Sequence, residues 1–67
     1  MNILINGDLI IHGFPDTEKK ARNRFIVYRM IDDQAWFWHI FDDKISAVSL
    51  ASSMCGHVVK VQSAERS

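Results

Sequence analysis

A chain of 67 residues has room for one domain, and at this size a core buries only roughly 60% of the surface the unfolded chain exposes. Its 48% hydrophobic and 24% charged residues match ordinary globular usage, which excludes disordered, collagen-like and low-complexity classes. Eight basic and eight acidic side chains give a formal net charge of zero, which disfavours both a strongly basic nucleic-acid binder and an acidic mimic of DNA.

In chain order, Ile3-Leu4-Ile5 and Leu9-Ile10-Ile11 flank Asn6-Gly7-Asp8. Asn and Gly tolerate the positive φ angles of a type I′ turn, so the spacing favours a hairpin over a strand with a glycine bulge. Gly13 and Pro15 close this unit. Asp16 to Asn23 is polar and opens the basic cluster Lys19, Lys20, Arg22 and Arg24, an exposed loop with room for one helical turn. Arg24 to Ile31 and Ala35 to Phe41 form a second hairpin around Asp32-Asp33-Gln34, since β-branched and aromatic residues suit a pleated, half-buried surface.

The period changes at Asp42-Asp43. Ala47, Val48, Ala51, Met54 and Cys55 recur at the spacing of an amphipathic helix over Lys44 to Cys55, with an aspartate as its N-cap. Gly56 stands where a left-handed C′ residue is wanted. His57 to Gln62 then alternates as a closing strand, and Ser63 to Ser67 reads as a frayed polar tail. The predicted fold is α+β: a two-layer domain over residues 1–62 with the order β-β-β-β-α-β. Its sheet is mostly antiparallel and one helix packs on one face.

This arrangement leaves a mismatch. Strict alternation puts Ala35, Phe37, His39 and Phe41 on one face of the fourth strand and Trp36, Trp38 and Ile40 on the other, both apolar. One helix covers one face. The second face is covered by the N-terminal hairpin, by a second copy of the chain, or by another macromolecule; large exposed apolar patches mark interaction sites, and Trp and Tyr are enriched at binding hot spots.

Catalytic chemistry finds little support in the residues. His12, His39 and His57 lie in different elements, and Cys55 with His57 falls short of the three or four ligands a metal needs. Asp33 and Asp42 are separated by a full strand, so the acidic pairs read as turn former and helix cap. The helical serines lack a Gly-x-Ser-x-Gly context, Cys55 reads as a core residue, and no glycine-rich phosphate loop is present. Neither cofactor nor metal is expected, and the chain is not expected to be an enzyme. A single cysteine points to a reducing compartment. With no basic leader and no apolar run of about 20 residues, the expectation is a cytoplasmic protein without membrane partners.

The expected function is a small protein-interaction module of regulator or inhibitor type. It works through an aromatic face at Tyr28, Trp36 and Trp38 as a homodimer, on a larger protein, or both. The alternative is single-stranded nucleic-acid binding, in which Lys19, Lys20, Arg22 and Arg24 track phosphates while aromatic rings stack bases. Over Phe25 to Val61 the hairpin–helix–strand plan resembles that of several very small phage-encoded inhibitors of host machinery. That resemblance implies action by occupying a site on a larger partner.

Overall fold

The computed structural model describes residues 1–15 and 21–66. Its strands are β1 (Ile3–Ile5), β2 (Leu9–His12), β3 (Phe25–Ile31), β4 (Gln34–Phe41), β5 (His57–Lys60) and β6 (Ala64–Arg66), with helix α1 (Lys44–Met54) between β4 and β5. They form one sheet in the order β5-β3-β4-β2-β1-β6. The expected α+β class holds, but the sheet is mixed rather than mostly antiparallel: β2 runs parallel to β4, Ile11 beside Ala35 and His12 beside Trp36.

Turn chemistry sets both hairpins. Asn6 and Gly7 adopt φ of 55° and 80° and join β1 to β2, with Ile5 opposite Leu9. Asp32 and Asp33, at φ of 51° and 64°, form a two-residue loop between Ile31 and Gln34. Positive φ at both central positions is the type I′ geometry whose twist matches that of the strands.

The sheet curls back on itself, and a length argument shows why it must. Lying flat, six strands would hold β5 and β6 about 24 Å apart, at about 4.8 Å per neighbour. Lys60 and Ala64 are four residues apart, a reach of at most about 14 Å. The two sheet edges are therefore drawn together by the chain that links them. Asn6 fastens this seam: its side chain donates to the Lys60 carbonyl (3.0 Å) and accepts from the Gln62 and Ser63 amides (2.7 and 3.2 Å), while its own amide donates to the Ser63 carbonyl at 2.8 Å.

The concave side of the curl is the main core. Ile5, Ile11, Ile26 and Val61 are fully buried there, with Ile3, Ala35 and Ile40 beside them. Phe14 and Ala21, from the connection between β2 and β3, join the same cluster. Ala21 is thus buried although it falls within the predicted exposed loop; Asp16 to Lys20 of that loop lie outside the described residues. Of the three predicted covers for the second face, the N-terminal hairpin is the one observed here: β1 and β2 place Ile3, Ile5 and Ile11 against Ile26 and Ile40.

A smaller core lies on the convex side, where α1 packs Ala47 and Ala51 on Val27, flanked by Phe25, Phe41, Leu50, Met54 and Val58. Asp43 caps the helix as expected, accepting from the Ser46 amide at 2.8 Å. The other end corrects two expectations. Cys55 itself turns left-handed, at φ 55°, so that the Gly56 amide reaches the Ala51 carbonyl at 2.8 Å. That places Cys55 in solvent rather than in the core. Gly56 is needed for another reason: a Cβ there would lie 3.0 Å from the Tyr28 carbonyl oxygen.

The predicted amphipathic stripe also shifts. Val48 is 42% exposed and Ile45 83%, while Leu50 faces inward, so apolar residues occupy both sides of α1. The predicted frayed tail is corrected as well. Ala64 to Arg66 form β6, because β1 presents an open edge that the short link from β5 delivers them to, with Ile5 opposite Ala64.

Candidate functional site

Register assigns each side chain of the β3–β4 hairpin to a face. Ile26 pairs with Ile40 and Tyr28 with Phe37 on the concave side; Val27 pairs with His39 and Arg29 with Trp36 on the convex side. The step from His39 to Phe37 against Val27 and Tyr28 skips Trp38, which is the extra residue of a β-bulge. A bulge lets two residues oppose one and re-aims the side chains on either side of it. It therefore breaks the strict alternation predicted for this strand. Ile40 faces the main core, His39 is exposed on the convex side, and Phe41 lies on that side against the smaller core.

The helix covers only the Phe25, Val27, Phe41 and Val58 part of the convex face. The remainder is a bare strip. Ile10 lies level with Gln34 by the parallel register and Ile31 pairs with Gln34 from the other side, so the three cross the sheet in one row. The next row holds His12, Trp36 and Arg29. Ile10 and Ile31 are each 45% exposed, Trp36 39% and Trp38 50%.

The strip has a defined surface. The Trp36 indole leans on the His12 ring, centroids 5.3 Å apart. It also lies over Gly13, where an added Cβ would come within 3.2 Å of the ring. The missing side chain, at φ 72°, lets the indole settle on backbone. Farther along β4, His39 meets Phe41 edge to face at 4.6 Å.

Of the predicted aromatic site, Trp36 is on this strip and Trp38 is at the bulge beside it. Tyr28 is on the opposite, concave side, stacked on His57 at 5.4 Å. Its neighbours belong to the core. Ile10 and Ile31 are strip residues that sequence reading did not single out. For Ile10 the signal was the unbroken apolar run Leu9-Ile10-Ile11, in which one residue too many is apolar for a half-covered strand.

Charge is arranged by strand direction. β2 and β4 are parallel and start from the two turns, so exposed Asp8, Asp32 and Asp33 sit at one end of the strip. The basic segment is at the other end of the hairpin. Arg24 donates to Asp42 at 2.7 Å, and Arg22 is exposed nearby. Four strand residues, about 13 Å, separate Phe25, next to Arg24, from Arg29 beside Trp36. Lys19 and Lys20 lie outside the described residues.

Among the described residues no group of three or more His, Cys, Asp or Glu side chains could hold a metal ion, and no helix is long and apolar enough to cross a membrane. The carboxyl of Asp43 is held below its usual range by the hydrogen bond from the Ser46 amide. What the strip can do chemically is exclude water against another surface. No protein-family model matches the chain, and no curated protein or solved structure matches it either.

Proposed function

We propose that this chain is a small non-catalytic interaction module that docks on protein through the bare convex strip, with Trp36 and Trp38 as anchors. The observation that carries this reading is two exposed indoles, Trp36 at 39% on a sheet face the chain's own helix leaves open and Trp38 at 50% at the bulge next to it. The two rings still present on the order of 200 Å² of apolar surface. Anchors of this kind supply most of the binding energy in a standard interface, and the surrounding contacts set orientation.

The acidic end of the strip favours a basic or neutral partner surface over a phosphate backbone, and Arg24 is already engaged by Asp42. Single-stranded nucleic acid is the second outcome of the test. A photoreactive benzophenone side chain replacing Trp38, in cells that make the protein, forms adducts with protein, either another chain or this one. The same group at exposed Asn23 does not. Nuclease-sensitive adducts would move the assignment to nucleic acid, and no adduct at either position would overturn it.

A further inference from the structure

The strip is one of two uncovered apolar surfaces on the same side of the sheet. The other is the outward side of α1. Ile45 is 83% exposed and Val48 42%, and from Ile45 to Val59 the sequence holds no Lys, Arg, Asp or Glu. A helix facing solvent ordinarily carries charge on its outer side; that of α1 instead carries Ile45 and Val48 beside the uncharged Ser49 and Ser52. Within one chain α1 is buried on one side only.

The two surfaces lie side by side and are similar in length. α1 stands above the sheet as a ridge over Phe25, Val27 and Phe41, and the strip lies beside it at the level of the sheet, on the same face by register. A helix of 11 residues is about 16 Å long. The strip, from the Ile31 row to Trp38, is of similar length at about 3.3 Å per residue.

We infer that the occupant of the strip is a second copy of this chain, related by a two-fold axis that lays each α1 in the partner's strip. One symmetric contact then covers both bare surfaces of both copies, as a two-fold interface must, because the same patch serves on each side. A stable pair needs about 800 Å² from each partner, roughly a sixth of the chain's 4571 Å², to which Ile10, Ile31, Trp36, Trp38, Ile45 and Val48, each at least 39% exposed, would contribute. A formal net charge of zero leaves no long-range repulsion between copies and favours self-association. The inference rests on the strip being a docking surface and adds what docks there.

The test uses sedimentation of the purified chain with two variants. Ile45→Asp puts a carboxylate in the first turn of α1, where the helix dipole favours it, so the fold is retained while the ridge becomes charged. Trp38→Lys charges the strip. The expected results are a wild-type mass of twice 7.7 kDa and association weakened at least about tenfold in each variant, with unchanged circular dichroism. An equimolar mixture of the two variants should pair again, because one helix–strip contact is then intact and the other sets Asp against Lys. A wild-type monomer at all concentrations overturns the inference. A dimer that resists either substitution overturns it too. In those cases the benzophenone adducts decide separately whether the strip docks another protein.

Discussion

The two sides of the curled sheet are built under different constraints. The concave side is closed by elements from the whole chain, and its Ile5, Ile11, Ile26 and Val61 are sealed from water. The convex side is closed in part by one helix, and the remainder shows Ile10, Ile31 and Trp36, with Trp38 at the bulge beside them. Apart from Met30, 46% exposed near the turn of the second hairpin, apolar residues on the first side serve the fold. Those on the second are in excess of what the fold uses, and such excess points to contact with another surface.

The largest expected effect separates the two sides directly. Ile26→Ala should cost about 2–5 kcal/mol, a large part of the roughly 3–10 kcal/mol expected for a chain this size. Trp38→Ala, at half exposure, should change stability by no more than about 1 kcal/mol. Urea melts of the two variants measure the difference, and equal losses would show that Trp38 belongs to the core.

A smaller effect sharpens the picture of the concave side as a curl held shut at a seam. Asn6→Gly keeps the positive φ while removing the side-chain bonds to Lys60, Gln62 and Ser63. It should cost about 1–2 kcal/mol and speed amide exchange at Gln62 and Ser63 more than in β3. Unchanged exchange there would mean that backbone pairing alone holds the edges.

The smallest effect belongs to the convex side. The Ser46 amide lowers the Asp43 pKa in the folded chain, so the cap's contribution is present above the ordinary carboxylate pKa and is lost as pH falls through the depressed folded value. Helical circular dichroism should decline in that acid window. Asp43→Asn, a neutral cap of similar quality, should flatten this dependence. An equal acid loss in the variant would assign the effect to other carboxylates.

Most local structure was legible because it rests on local chemistry. Asn6-Gly7 and Asp32-Asp33-Gln34 marked the hairpins, an aspartate of Asp42-Asp43 the helix start, and the period change at that pair the switch from strand to helix. Features set at a distance were not legible. The parallel pairing of β2 with β4 and the recruitment of Ala64–Arg66 as a strand depend on which edges meet, whereas closure of the second face by β1 and β2 was one of three covers the residues left open. The site was half legible. An excess of apolar faces was visible in Trp36-Phe37-Trp38, but the bulge at Trp38 changes which residues share a side, and grouping Tyr28 with the two tryptophans put it on the wrong one. Gly56 was recognised as special, although a carbonyl's close approach, not a left-handed turn, explains it.

The pairing of β1 with β6 has a consequence for how the chain is made. Ile5 stands opposite Ala64, and at 5–20 residues per second a ribosome needs about 3–12 s to travel from one to the other. For the part of that interval in which the first hairpin is outside the ribosome, one of its edges is unmatched and its isoleucines are wet. The newborn protein is therefore most vulnerable to sticking to its neighbours before its last strand arrives.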